Sequence, residues 1–349
     1  MKIAILGDVH LGVRGDAKIF HDYFAKFYTQ IFFPYLEEHG INIVFQLGDL
    51  FDKRKSINFY SLAESKRYFF GPLEENNIHL YTLVGNHDIY WRESLEVNAS
   101  ELLLAEYANI NVISQPKTIT VDSTSFDIIP WVCEENQTEI MNFITKSKSD
   151  ICLGHWEIAG FAMYKGMESH EGLSMDMFSK YEQVWSGHYH TRSQKGNITY
   201  VGTPAEMTWQ DYNDPKGFHI FDTETRELTF IKNNFTIFHR LEYNDQSVLP
   251  DLDAPDLKDC YVKVVVTNKT DFYKFDNFIN KLYQKGCYDI KIVEDLAAFN
   301  EGEVSDQINL EDTVSVLSHY IDSVETNQDK DKIKHYMTTL YVEALNITD

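Results

Sequence analysis

Five short segments of this 349-residue chain carry side chains able to bind a metal ion. In order they are Gly7-Asp8-Val9-His10, Gly48-Asp49-Leu50-Phe51-Asp52, Gly85-Asn86-His87-Asp88, Gly154-His155 and Gly187-His188-Tyr189-His190. Carboxylate oxygen, amide oxygen and imidazole nitrogen make a mixed N/O donor set, which suits Mn2+, Fe2+ or Zn2+ better than Ca2+. Asp8 and His10 are spaced i, i+2, as are His188 and His190, so in extended backbone each pair points to one side. A lone histidine after a strand is more often a hydrogen-bonded loop residue, and Gly-Asp-x-x-Asp by itself is common where Asp caps a helix or closes its own turn. Five such segments, each behind an apolar run and a glycine, are hard to produce that way.

The apolar runs are short: Ile3–Leu6, Ile43–Leu47, Leu80–Val84, Ile151–Leu153 and Gln183–Trp185. Helix-length segments, roughly His21–His39 and Ile57–Asn76, separate the first three. Buried strands alternating with helices predict a layered α/β sheet, and ligands of such sheets bind beyond the carboxyl ends of the strands. From about Lys117 the texture changes to hairpins, Thr118–Val121 with Phe126–Ile129 and Phe218–Phe221 with Leu228–Ile231. The expected architecture is therefore a mixed sandwich with helices outside.

A boundary is expected over Asn244–Asp259, rich in Asp, Pro and Asn, giving a first domain over 1–243. A small β-α-β module follows within 244–299: strand Tyr261–Thr267, helix Asp271–Lys285, strand Tyr288–Val293. The remainder, 300–349, reads as an acidic linker to Asp312 and two amphipathic helices. One carries Val314, Leu317, Ile321 and Val324, the other Ile333, Met337, Leu340, Tyr341, Ala344 and Leu345. Helices this short are marginal alone in water, so they should dock, either on the chain itself or on a partner groove.

Composition excludes several classes. Hydrophobic residues at 43% and aromatic residues at 14% rule out general disorder, and no run approaches about 18 uninterrupted apolar residues, so no membrane span is expected. The four cysteines lie far apart and read as reduced thiols of a cytoplasmic protein. The net charge of −23 argues against broad electrostatic capture of nucleic acid. Acidity is uneven, with 12 acidic and 2 basic residues between Asp289 and Asp331. The rest of the chain is still acidic, so binding of a polyanion must be local, metal-assisted or shared with a partner.

Taken together, the order Asp-x-His, Gly-Asp-x-x-Asp, Gly-Asn-His-Asp, Gly-His and Gly-His-x-His resembles the calcineurin-like metallophosphoesterases over about the first 210 residues. Tyr200-Val-Gly-Thr-Pro204 and Asp214-Pro-Lys-Gly-Phe218 narrow the resemblance to the SbcD-type nuclease subunits of SbcCD and meiotic recombination complexes. Gly48-Asp-Leu-Phe-Asp-Lys-Arg-Lys55 and Ile129-Pro-Trp-Val-Cys-Glu-Glu135 look most like the tailed-phage recombination endonuclease subunits, which would place the protein in a host cytoplasm.

The resemblance implies a four-layer sandwich with a capping domain and C-terminal helices. It implies a DNA nuclease of recombination, repair and replication, acting as a homodimer with an SbcC-like SMC-type ATPase bound through those helices. It also implies two divalent ions, manganese by family habit, one held by Asp8, His10, Asp49 and His190 and the other by Asp49, Asn86, His155 and His188. Two cations about 3.5–4 Å apart acidify a water and neutralise the attacked phosphoryl oxygens. Asn86 fits such a set because its neutral oxygen adds no charge to repel a phosphodiester.

His87 would contact the scissile phosphate and help protonate the leaving group, with Asp88 orienting its imidazole. The alternative for Asp88 is a carboxylate that caps its own loop. Asp52 is left between a substrate contact and a loop-stabilising or outer-shell role. Lys53, Arg54 and Lys55 could meet the DNA backbone or form a solvated turn, and Tyr90, Trp91 and Arg92 could stack on nucleic acid or pack against a neighbour. The same dimetal motifs also serve phosphomonoesterases and cyclic-nucleotide phosphodiesterases. Against those stand some 140 residues beyond the motifs; against a non-enzymatic scaffold stand eight intact site residues.

Overall fold

The computed structural model describes residues 1–294, apart from 165–166 and 170–171, together with 321, 330, 332–334 and 336–337. The acidic linker and most of the two C-terminal helices expected from sequence lie outside the described residues.

In chain order the strands are β1 (Lys2–Leu6), β2 (Ile43–Gln46), β3 (His79–Leu83), β4 (Ile110–Ile113), β5 (Lys117–Val121), β6 (Thr124–Ile129), β7 (Ile151–His155), β8 (Ala162–Tyr164), β9 (Met167–Glu168) and β10 (Gln183–Gly187). They continue with β11 (Ser193–Lys195), β12 (Ile198–Tyr200), β13 (Gly217–Asp222), β14 (Leu228–Lys232), β15 (Phe238–Asn244), β16 (Tyr261–Asn268) and β17 (Asp289–Glu294). The helices are α1 (Val13–Asp16), α2 (Lys18–Phe27), α3 (Phe33–Glu38), α4 (Phe59–Ser65), α5 (Gly71–Glu75), α6 (Ala99–Leu104), α7 (Gln137–Lys146) and α8 (Phe272–Gln284).

One six-stranded sheet runs β14-β13-β1-β2-β3-β4, with β1 to β4 parallel. A second runs β11-β12-β10-β7-β6-β5, with β12, β10, β7 and β6 parallel. The hairpins expected at β5/β6 and β13/β14 are both antiparallel pairs of these sheets. The sheets face each other through Ile3, Ile5, Phe45, Leu47, Leu83, Phe126, Ile128, Leu153, Trp185 and Phe221. Alternation sends Ala4, Leu6, Val44 and Leu80 to the other face of the first sheet, where α2, α3, α5 and the turns that lead into α3 and α5 cover them, with Leu104 of α6. Cys152 and Val184 of the second sheet pack likewise with Ile140 and Ile144 of α7. The result is the four-layer α/β/β/α sandwich. Burial on both faces is why these strands read as continuous apolar runs.

The two long helical segments of the sequence reading are each interrupted. Five-residue π turns, Tyr28–Phe32 and Lys66–Phe70, lead into α3 and α5, whose second residues are Pro34 and Pro72. A proline ring collides with the carbonyl four residues back, and the wider turn relieves that collision without ending the helix. Tyr28 of one turn lies 4.7 Å from Phe69 of the other, ring centre to ring centre, so the two irregularities pack together.

The third sheet, β15-β16-β17, is all parallel and carries α8, capped by Asp271, on one face. It differs from the expected β-α-β module by one strand. β15 begins at Phe238, so the sheet starts before the boundary read at Asn244. The sequence hides this because Phe238–Asn244 continues directly from the hairpin and shows only two fully buried positions, Phe238 and Tyr243.

Buried Glu206 fastens the new strand to the sandwich, its carboxylate accepting the N–H groups of Ile237 (2.8 Å) and Phe238 (3.0 Å). Burial pushes the Glu206 carboxyl up from 4.5 to about 7, against the pull of those N–H donors. A carboxyl raised on folding contributes its full stability below about pH 4.5 and loses it as pH rises through 7. Glu206→Gln keeps an acceptor but cannot ionise. Its melting temperature should therefore gain on the wild type from pH 5 to pH 8, as read by thermal denaturation across that range.

Candidate active site

Every motif of the sequence reading sits where a strand leaves one of the two main sheets. Asp8 and His10 follow β1, Asp49 and Asp52 follow β2, and Asn86, His87 and Asp88 follow β3. His155 ends β7, and His188 and His190 follow β10. His10, Asp49 and His188 take positive φ (49°, 50° and 82°), which turns the chain sharply out of the sheet. Such backbone costs about 1–3 kcal/mol per residue and persists only where neighbours fix it. Here the main-chain oxygen of Asp49 accepts the N–H groups of Val9 (3.1 Å) and His10 (3.0 Å), and the Asp8 carboxylate accepts that of His188 (3.0 Å). Two glycines allow the close approach. A Cβ on Gly85 would lie 2.2 Å from the Asp49 nitrogen, and one on Gly187 would lie 2.5 Å from an Asp8 carboxylate oxygen.

Among the described residues the side chains converge in three overlapping groups, of which one is His10, Asp52 and His87 and the other two carry the donors expected from sequence. Asp8, His10 and His190 form one, with the Nε2 atoms of the two imidazoles 3.2 Å apart and His190 Nε2 3.7 Å from Asp8 Oδ2. Asp49, His155 and His188 form the other, and Asn86 joins it: Asn86 Oδ1 lies 2.9 Å from His155 Nε2 and 3.1 Å from His188 Nδ1. Asp49 Oδ2 stands between the groups, 3.3 Å from His155 Nε2 and 3.8 Å from His10 Nε2.

This donor set fits a pair of divalent cations. His155 Nδ1 donates to the Leu47 carbonyl at 2.7 Å, so in the neutral ring the Nε2 lone pair faces the Asn86 and Asp49 oxygens. A proton on Nε2 or a cation between these atoms satisfies that arrangement, and a ligating histidine typically spends its other N–H on such a carbonyl. The electrostatics point the same way. Burial disfavours charge on His10, yet Asp52, Asp49 and Asp8 raise it to about 9. Burial opposes charge on His155 too, and Asp49 and Asp8 raise it to about 9. Burial pushes the Asp8 carboxyl up, His155 opposing and Asp49 reinforcing the rise. Burial also works against the Asp49 carboxylate, but His155 and His87 hold it well below the usual range. Burial and the neighbouring His155 charge bring His188 down to about 3, leaving it neutral.

The structure reassigns the support of His87. Asp88 was expected to orient that imidazole. Its oxygens instead accept the main-chain N–H groups of Gly85 (2.8 Å), Phe51 (3.0 Å) and Leu50 (3.4 Å), in full burial. The chain turns at Gly85 so that Asp88 points back under the Asp49 loop, the capping role weighed above. His87 Nδ1 donates to the main-chain oxygen of Asp52 at 2.7 Å, leaving Nε2 for other work. The Asp52 carboxylate faces His10 Nδ1 at 3.4 Å, so Asp52 steadies two imidazoles and is no loop bystander.

The basic cluster divides. Lys53 is held by Asp16 at 2.7 Å, and Lys55 is exposed above the Tyr90 ring at 5.8 Å. Arg54 is half-buried, and its Nη1 has no hydrogen-bond partner among the described residues. Burial and the nearby Arg92 disfavour its charge, while Asp49 favours it. Tyr90 and Trp91 are exposed on the same loop. Trp131, just past β6, packs its ring 5.2 Å from His188 and 5.8 Å from His155. The sequence reading takes Trp131 only as part of the Ile129–Glu135 resemblance and gives it no role at the site, because an aromatic after a strand and Pro130 carries no ligand chemistry; its place beyond a strand end was the available signal.

Residues 1–216 match the family model of the calcineurin-like phosphoesterases. The chain belongs to that family, whose members are metal-dependent hydrolases of phosphoesters. Within it, the chain is 37% identical over 347 residues to exonuclease subunit 1 of Enterobacteria phage T4, covering 99% of both chains. The resemblance to tailed-phage nuclease subunits is thus met along the whole length. A solved archaeal phosphodiesterase aligns with 67% of this chain and all of its own at 13% identity and a TM-score of 0.35, a likeness too weak to bear on the fold.

Removing the Asp88 carboxylate leaves its buried N–H groups without an acceptor, at about 1–3 kcal/mol each. Asp88→Ala should therefore lower the urea midpoint markedly. His87→Ala should leave the unfolding free energy within about 1 kcal/mol of the wild type, since His87 is only half-buried.

Proposed function

We propose that this protein is a divalent-metal-dependent DNA nuclease that hydrolyses phosphodiester bonds, the catalytic subunit of a complex with an SMC-type ATPase. The observation that carries the reading is the position of Asp49, whose carboxylate stands between two groups of nitrogen and oxygen donors at one edge of a phosphoesterase fold. Asp8, His10, Asp49 and His190 would hold one cation, and Asp49, Asn86, His155 and His188 the other. Manganese suits this donor set. Two cations so held supply Lewis-acid activation of water and neutralise charge on the attacked phosphate.

The protein's own groups supply the rest. His87 Nδ1 is committed to the Asp52 carbonyl, so the Nε2 side is the one that contacts the scissile phosphate and delivers a proton to the leaving oxygen. Burial lowers the His87 pKa against the pull of Asp49, with His10 adding to the fall, so the resting ring is neutral with a bare Nε2 and would take up a proton at the site before passing it to the leaving oxygen. Of the Lys53–Arg54–Lys55 cluster, Lys55 is exposed and Arg54 half-buried, and these two are left to meet a backbone phosphate. Lys53, already paired with Asp16, contributes least. Asp88 serves the site by holding the loops of Asp49 and Gly85.

The phage relative's name, a subunit, supports a partner complex. We assign the ATPase contact to the C-terminal helices read from sequence, beyond the 1–243 nuclease and 244–299 capping regions, and a homodimer to the nuclease region. A partner that holds duplex DNA also reconciles nuclease action with a net charge of −23. No helix among the described residues is long and apolar enough to cross a membrane. We also propose action in a host cytoplasm, in recombination, repair and replication of DNA, on the sequence resemblance, and the relative's phage origin supports the host setting alone.

The test is cleavage of single- and double-stranded DNA by the purified chain with Mn2+, Mg2+ or EDTA. His87→Ala and a chromogenic phosphomonoester run alongside. Cleavage that needs Mn2+, is abolished by EDTA and falls at least a hundredfold in His87→Ala is expected. Monoester turnover without DNA cleavage would overturn the reading in favour of a phosphatase.

A further inference from the structure

Lys216 is 3% exposed, and an ammonium at that depth must have its hydrogens satisfied by oxygens. Its Nζ meets Asp211 Oδ1 at 2.7 Å, Asp214 Oδ2 at 2.8 Å and the main-chain oxygen of His190 at 2.8 Å. The two carboxylates balance the charge. The third contact goes to the backbone of a candidate cation ligand.

His190 needs that contact more than its neighbours do. Asp8 and Asp49 leave their strands within two or three residues, under main-chain bonds that cross from β1 to β2, and His155 is itself the last residue of β7. His190 lies three residues past β10 and before β11, in irregular chain, with its side chain 38% exposed. Besides Lys216, its carbonyl receives one hydrogen bond, from the Thr203 N–H at 3.1 Å. Gly202 (φ 70°) lets the chain pass close beneath, since a Cβ there would lie 3.0 Å from the same carbonyl oxygen. Asp211 is anchored in turn, its Oδ2 accepting the N–H groups of Met207 (2.9 Å) and Thr208 (2.8 Å). Lys216 is therefore braced from one side and bears on His190 from the other.

We propose that Lys216 is a positioning residue that fixes the His190 imidazole for the cation shared with Asp8, His10 and Asp49, and that it has little influence on the other cation. The proposal rests on the two-cation reading above. Its consequence is selective: loss of Lys216 weakens one of two cation sites.

The experiment is a titration of the full-length chain with Mn2+ alone, following free Mn2+ by electron paramagnetic resonance, with melting temperature recorded for every variant. The wild type should bind two ions; zero or one would overturn the two-cation reading itself. Given two, Lys216→Met should keep one at wild-type affinity and weaken the other at least tenfold, matching His190→Ala. Asp214→Asn leaves the ammonium on the His190 carbonyl and should keep both.

Should Lys216→Met lose its thermal transition, the variant combining it with Asp211→Asn and Asp214→Asn removes the stranded buried charges and takes its place. Two ions bound at wild-type affinity without Lys216, or equal weakening of both, would make the residue a structural brace and overturn the proposal.

Discussion

The main-chain carbonyl of Asp49 accepts hydrogen bonds from Val9 and His10, and its carboxylate accepts one from the His87 N–H at 2.7 Å. Three strand ends, those of β1, β2 and β3, are thereby tied to one residue in left-handed backbone. The same carboxylate presents its second oxygen to His10 on one side and His155 on the other. Nearly everything at the site follows from holding that residue still. Gly85 must lack a side chain so that Asp49 fits above it, and Asp88 must be buried beneath to take the N–H groups of the loop.

The sandwich makes this possible because both sheets end in the same direction at one edge. The first sheet supplies Asp8, His10, Asp49, Asn86 and His87; the second supplies His155, His188 and His190. The contact surface of Ile3, Phe45, Leu153, Trp185 and their neighbours thus does more than bury apolar area. It sets the distance between the two halves of the donor set. Buried polar groups continue the scaffold away from the site: Asp52 behind His10 and His87, Lys216 behind His190, and Glu206 out to the third sheet.

Burial and charge pull against each other throughout this region. His10 and His155 are driven toward their charged forms by buried carboxylates, while His188 and His190 are driven toward neutrality by burial and by those same charged imidazoles. A dense set of carboxylates and imidazoles in such balance is well matched to divalent cations, which take the positive charge out of the imidazole rings. Cations held there would give an acidic protein local positive charge at this edge, with Arg54 and Lys55 beside it.

Sequence alone determined the donor residues, their attachment to strand ends and the layered α/β class. Glycine, apolar run and ligand-type side chain recur as a local pattern, and a strand buried on both faces writes itself into consecutive residues. It also gave the β5/β6 and β13/β14 hairpins and the strand–helix–strand of the third sheet, all set by short-range periodicity. Only the tertiary structure decided which oxygen supports which imidazole. Asp88 and Asp52 are both acids near His87 in the motifs, and the turn at Gly85 sends one beneath the loop while a main-chain carbonyl of the other reaches the ring. The parts played by Lys216 and Trp131 were likewise not legible, because the His190 carbonyl lies 26 residues from Lys216 and the two histidines beside Trp131 lie 24 and 57 residues from it. The start of the third sheet at Phe238 was hidden for the same reason: a strand's sheet is chosen by its hydrogen-bond partners, and those are long-range.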